Sequence, residues 1–380
     1  MKKIYFIRYV VGALLLILSH YVFADTVKII GTKIIDHSIS YENVLLDLSE
    51  GHFDVINNAT LEIKNSVING TISQENSYLF NISQGKLVLN KNSVNVHVDH
   101  DIIPNPERIM YSFINLTEGD IDITNNYFDV DKSYSVTLLS GDKLSHRNII
   151  VNHNNINNFH GGLILKNAEN VVITDNLFSK VSFSNIYFLN SYHILFENNQ
   201  ILFGGNNNVG DAIDIVNSDD FVIRSNFIAS DSCYAIVILG ARNGVVESNH
   251  IMNGITYGIY IDSNFGKHNI LFYLAGFTKK NIEASNRNIV ITKNYISQNR
   301  FGLTAYNVDS LVVKENIFIQ KFSDKNSRKF WTDNNILLKN ISNLFWENNL
   351  YKEAFSQESD DANVESSHFV IFPSHNGVIL

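Results

Sequence analysis

Two aspartates three positions apart, Asp211 and Asp214, are followed at regular intervals by the phenols Tyr234, Tyr257 and Tyr260 and by Asp262. Paired carboxylates beside phenols can do acid/base chemistry on a sugar or hold a cation. Farther on, His268, Tyr273, Lys279, Lys280 and Arg287 form a small cationic set, able to meet a uronate or neutralise an enolate. A β-elimination would need a base for the C5 proton, a role for Tyr260 or His268. It would also need a group to neutralise the carboxylate, a role for Lys280 or Arg287. The candidate catalytic residues are therefore Asp211, Asp214, Tyr260, His268 and Lys280. The candidate substrate contacts are Tyr187, Tyr257, Asp262, Arg287, Arg300 and Tyr306.

Each candidate also has a plainer reading. Asp211 and Asp214 flank a bend, where Asp commonly satisfies backbone donors. Tyr234, Tyr257 and Phe301 can be a stacked corner of the core instead of a sugar platform. The cationic insertion can be a solvated loop. His160, His250 and His268 lack metal-ligand spacing, so no metal site is expected. The pattern neither requires nor excludes calcium.

What would position these side chains is an asparagine ladder. The markers are Asn126, Asn155, Asn176, Asn199, Asn226, Asn249, Asn294, Asn316 and Asn349, each followed within two residues by Leu, Ile, Phe or Tyr, with weaker copies at Asn65 and Asn92. Successive spacings of 29, 21, 23, 27, 23, 45, 22 and 33 residues give a base unit of about 22, with one unit carrying a large insertion. Each unit holds two or three short runs rich in β-branched and aromatic residues, separated by Asn, Gly, Ser and Asp. At ~3.3 Å per residue, such a unit makes one lap of a three-sided coil. Stacked laps place equivalent residues ~4.8 Å apart, so an inward Asn at each bend can bond its neighbour in the next lap. The expected fold is all-β, a right-handed parallel β-helix of about eleven laps with terminal caps. No domain break is expected. Residues 25–54 should cap the first lap, 55–351 form the coil, and 352–380 cap the last.

On such a coil, Ile164, Tyr187, Asp214, Val237, Tyr260 and Thr304 are read as outward central positions of successive strands. Gly161, Ser184, Asp211, Tyr234, Tyr257 and Phe301 form a second column. The extra length at 204–210, 262–287 and 320–334 should wall a groove over these strands.

The repeat resembles the pectin-lyase-like superfamily of right-handed parallel β-helix proteins over roughly residues 55 to 351. That superfamily includes lyases, hydrolases, epimerases, esterases, tailspikes and adhesins, so the resemblance implies the fold and a groove in which glycans lie, but no single activity. The segment Asn208-Val209-Gly210-Asp211-Ala212-Ile213-Asp214 looks like the Asn-Thr-Asp-Gly-x-Asp segment of polygalacturonases, and Asp231-Ser232-Cys233 faintly like their Asp-Asp-Cys. The next lap departs from that family: no His-Gly or Arg-Ile-Lys follows, and Ser232 replaces the second Asp. Polygalacturonase activity is therefore not carried over.

Residues 1–24 read as a secretory leader, with Lys2, Lys3 and Arg8 before an apolar core and Val22-Phe23-Ala24 as the cleavage site. A secreted or periplasmic protein without a stable membrane span is expected, the core being shorter than the ~20 residues a span needs. The single Cys233 excludes an intrachain disulfide. A net charge of −9 does not suit nucleic acid, and becomes more negative once the leader is removed. The expected partner is a polysaccharide or oligosaccharide. Two readings stand: a glycan-active lyase, epimerase or hydrolase, and a non-catalytic glycan-binding or structural surface protein.

Overall fold

In the computed structural model, the described residues are 25–99, 111–131, 136–141, 148–181, 184–202, 210–229, 234–252, 256–263, 285–299, 301–322, 336–355 and 369–372; side-chain statements exclude 320–322, 352–355 and 369–372. These residues are strands joined by tight bends, with no helix among them. The ladder pairings between laps are parallel, as in Gly161–Lys166 with Ser184–Leu189, Glu169–Thr174 with Tyr192–Glu197, and Leu177–Ser179 with Gln200–Leu202. Those three pairs sample the three faces of a parallel β-helix. The first is called here the site sheet. The second lies beyond one bend, and the third beyond the asparagine bend.

The asparagines do what the spacing predicts. Nine links join Asn92, Asn126, Asn154, Asn176, Asn199, Asn226, Asn249, Asn294, Asn316 and Asn349 in sequence. In each link Nδ2 donates to Oδ1 of the next rung, and the same Oδ1 accepts the backbone N–H of the first rung, as between Asn176 and Asn199 at 2.9 Å for both bonds. The second Nδ2 hydrogen turns the other way, to a carbonyl of the preceding lap, such as Val151 for Asn176 at 2.8 Å. A carboxamide alone among side chains offers two donors and a two-fold acceptor in this geometry.

The phase differs from expectation at two rungs. Asn154, not Asn155, is the buried member of its lap, and Asn155 opens the following strand. Ser66, not Asn65, sits inward at the early rung, its N–H bonded to Asn92 Oδ1. The residue just before each rung adopts the left-handed region: Asn65, Lys91, Asn125, His153, Asp175, Asn198, Ser225, Ser248, Lys293, Glu315 and Asn348 have φ between 48° and 59°. That conformation turns the chain and delivers the next side chain inward. Asn, Asp and Ser are chemically suited to it; Lys91, His153, Lys293 and Glu315 are held there by the surrounding ladder.

The interior is filled by stacks of like residues. Phe53 and Phe80 lie face to face at 5.7 Å, and Phe80, Phe113 and Phe128 continue edge to face. On the second sheet Phe221 occupies the column between Ile194 and Gly244. A Cβ on Gly244 would fall 2.0 Å from the Phe221 ring, so the ring takes the space that the glycine leaves. The coil is already formed at Thr26–Ile35, which pairs in parallel with Leu45–Val55. At the far end Phe369–Phe372 pairs with Ile336–Lys339.

Candidate functional site

The register of the site sheet aligns Ile164, Tyr187, Asp214, Val237, Tyr260 and Thr304 in one column, as expected. A parallel column aligns Asp211, Tyr234, Tyr257 and Phe301. A third holds Lys166, Leu189, Val216, Leu239, Asp262 and Tyr306. The segments expected to wall a groove over these strands lie mostly outside the described residues, and the strand face itself is largely apolar. Ile164, Tyr187, Leu189, Val216, Val237, Leu239 and Tyr260 form a second hydrophobic cluster, separate from the coil interior and buried. Apolar residues outnumber polar ones on this outer face.

Two polar islands stand within that cluster. In the first, Ser184 donates its hydroxyl to Asp214 Oδ2 at 3.1 Å, Asp211 and Asp214 are hydrogen-bonded to each other, and Tyr234 N–H donates to Asp211 Oδ1 at 3.2 Å. Asp211 is 3 % and Asp214 5 % exposed, so this charge has little water to share it. Burial pushes the Asp214 carboxyl up to about 6, opposed by the hydrogen bonds from Asp211 and Ser184. Two carboxyls in contact in such a place hold one proton between them most stably. Burial, with the Asp214 charge adding, also drives the Tyr187 phenol well above its usual range.

In the second island Tyr260 donates its hydroxyl to Asp262 Oδ2 at 3.0 Å, and Asn307 Nδ2 donates to Asp262 Oδ1 at 3.2 Å. Desolvation first, then the charge of Asp262 and the hydrogen bond to it, raises the Tyr260 phenol above its ordinary value. In this arrangement the protonated phenol serves as a hydrogen-bond donor to Asp262. Between the islands runs an aromatic stack: Tyr234 on Tyr257 at 4.9 Å and 3°, and Tyr257 on Phe301 at 4.9 Å and 17°. Tyr260 tilts against both tyrosines, and Tyr306 meets Tyr260 at 6.1 Å. Tyr234, Tyr257 and Tyr306 are only partly buried and mark the margin of the patch that solvent reaches.

The fold thus gathers Tyr187, Asp211, Asp214, Tyr257, Tyr260, Asp262 and Tyr306 on one sheet. Arg287 is not with them. It lies past the bend on the second sheet, between Arg242 and Asp309 in a column of exposed charges. There Arg242 pairs with Asp219 through two guanidinium nitrogens. Asp309 is held below the usual carboxylate range by hydrogen bonds from Ser342 and Asn343, with the Arg287 charge adding. His268, Lys280 and Arg300 lie outside the described residues, as do the 204–209 segment and most of the 262–287 and 320–334 segments. Among the described residues no cluster of three or more His, Cys, Asp or Glu is placed to hold a metal ion. No helix there is long and apolar enough to cross a membrane.

The family model for the right handed beta helix region matches residues 161–342. The periplasmic alginate epimerase AlgG is similar in structure, with a TM-score of 0.51 and 13 % identity over 88 % of this chain and 84 % of that one. The Dettilon tailspike protein matches with a TM-score of 0.41 and 11 % identity over 87 % of this chain and 61 % of the tailspike. A mannuronic acid specific polysaccharide family 6 lyase from human gut microbiota gives 0.39 and 12 %, over 81 % and 83 %. At these identities the likeness is one of fold. No curated protein matches the chain. The chain is a right-handed parallel β-helix protein, assigned by fold to no specific enzyme family.

Proposed function

We propose that this protein is exported and engages a polysaccharide or oligosaccharide along its site sheet, with the Asp211–Asp214 pair as a proton-transfer centre. The observation that carries the reading is this hydrogen-bonded carboxyl pair on the outward face, beside a stack of phenols. A carboxyl poised at about 6 can give or take a proton near neutral pH, while its partner stays available as the opposite member. The stack of Tyr234, Tyr257 and Phe301 offers the flat apolar surface on which a sugar ring packs its C–H face. The alginate epimerase that shares the fold is consistent with a glycan as the substrate class. The leader-like residues 1–24 support export.

A non-catalytic reading is favoured by one specific observation: both aspartates are almost fully buried within an apolar cluster. In that case the pair is a structural tie and the tyrosine margin alone meets glycan. A screen over purified polysaccharides, following both reducing-end release and the ultraviolet absorbance of unsaturated uronate ends, decides between them. Turnover that disappears in Asp214→Asn while the fold is retained supports catalysis. No turnover on any glycan, with binding kept, supports the second reading.

A further inference from the structure

The column that carries Asp214 extends toward the N-terminal laps, where its character changes. Asp54, Asn81, Asn115, Ser140 and Ile164 follow one another in register. From Ile164 to Thr304 the column is buried; Asp54, Asn81, Asn115 and Ser140 are half exposed and polar. Asn115 Nδ2 donates to Asn81 Oδ1 at 2.9 Å, which leaves Asn81 Nδ2 as a donor and Asn115 Oδ1 as an acceptor with no partner among the described residues. Asp54 Oδ1 is instead turned inward, buried without a hydrogen-bond partner among the described residues and 3.8 Å from His52 Nε2, while the Asp54 side chain as a whole stays partly exposed.

The flank of this column is rigidly built. Asn76 Nδ2 donates to the carbonyls of Thr71 and Gly51, so its Oδ1 faces His52 Nδ1 at 2.9 Å. That fixes the proton on Nδ1 and turns Nε2 toward the Thr32 hydroxyl at 3.1 Å. Tyr78 packs edge-on to His52 at 4.9 Å. Burial, with the charge of Asp54 adding, pushes its phenol up, which keeps it a neutral donor.

We propose that this open half of the site sheet binds a neutral, hydroxyl-rich glycan lying along the coil axis. The inference rests on the glycan reading above and narrows it to uncharged sugars at these laps. Three features point to that occupant. The column repeats a polar group once per lap, every ~4.8 Å, and so presents a spaced row to a polymer of hydroxylated rings. Its unused groups within reach are the Asn115 carbonyl as acceptor and the Asn81 amide as donor, with Asp54 adding only the oxygen that is not buried, and sugar hydroxyls satisfy both kinds. The column carries the carboxyl of Asp54, and no Lys or Arg stands in it. A polyuronate would set its own carboxylates against Asp54 without a compensating cation.

The test is calorimetric titration of the intact protein with soluble mannan, glucan and galactan, and separately with polymannuronate. The proposal expects binding of at least one neutral glycan, weakened at least tenfold in the Asn81→Ala/Asn115→Ala double variant, and weaker binding of polymannuronate. Asn115→Lys, which places a cation at a half-exposed position with room for a longer side chain, should shift preference toward polymannuronate. Should the double variant fold poorly, this single variant carries the test. Neutral binding unchanged by these substitutions overturns the proposal. Binding of polymannuronate alone also overturns it, while the broader glycan reading stands. Binding of none of the four polymers overturns both.

Discussion

Ser184 donates a hydroxyl hydrogen bond to Asp214 Oδ2 across one lap of the coil, 3.1 Å from oxygen to oxygen, on a face whose neighbours Ile164 and Val237 are buried. The contact shows how the strand period sets chemistry. Ser184 and Asp214 meet because residues of successive laps are stacked, not because they are near in sequence. Apolar neighbours then withhold the water that would keep a carboxylate at its ordinary acidity.

The first prediction concerns pH. Asp214 ionises at about 6 in the folded chain against 3.8 for an unperturbed carboxyl, so the native state binds the proton more tightly than the unfolded one. The contribution is fully present below the unfolded value and is lost as pH rises through the folded value. Thermal melts should therefore show a decline in this component between about pH 4 and pH 7. Asp214→Asn, which keeps a neutral side chain of the same shape, should flatten it and stabilise the protein at neutral pH by on the order of 1–3 kcal/mol.

That same variant separates stability from chemistry. If the carboxyl pair transfers protons to or from a sugar, Asp214→Asn should lower turnover by roughly 100-fold or more. The melting temperature should hold or rise. Loss of activity together with loss of folding would point to a structural role for Asp214.

The asparagine ladder should be intolerant even of isosteric change. Asn199 donates to Ile173, Glu197 and Asn226 and accepts two bonds from Asn176. Asn199→Ala strands several buried donors and acceptors at once and should cost about 2–5 kcal/mol in chemical denaturation. Asn199→Asp should also destabilise at neutral pH, because a carboxylate has no hydrogen to give the two carbonyls.

Gly244 gives a packing prediction. A methyl group there meets the Phe221 ring at 2.0 Å, so Gly244→Ala must displace an aromatic side chain in a filled column. A loss of about 1–3 kcal/mol is expected, and Phe221→Leu in the same chain should recover part of it.

Much of this architecture was legible from residue types alone, because the lap length and its inward asparagines leave a period that few folds share. Phase was harder. Asn154 and Asn155 are adjacent, and composition does not say which turns inward; the left-handed conformation of His153 decides it. Asn65 misled similarly, since it takes the bend itself and leaves the rung to Ser66. The columns joining Asp211 to Tyr257 and Asp214 to Tyr260 followed from alternation along the strands. Their burial did not, although the signal was present: Ala235-Ile236-Val237-Ile238-Leu239 is apolar without interruption, as strands covered on both faces are. The row from Asp54 to Ser140 is hard to read from residue types, because the early laps carry weak ladder copies that blur the alignment of Asn81 with Asn115.

Because the rungs from Asn92 to Asn349 are bonded in one common pattern, the molecule has a natural unit of length. Splicing Asn176 directly onto Gln200 would delete one full circuit, Leu177 to Asn199, and hand Asn226 an equivalent partner. A shortened chain of this kind should still close its ladder, so genes for such proteins can grow or shrink by whole circuits without redesigning the remainder.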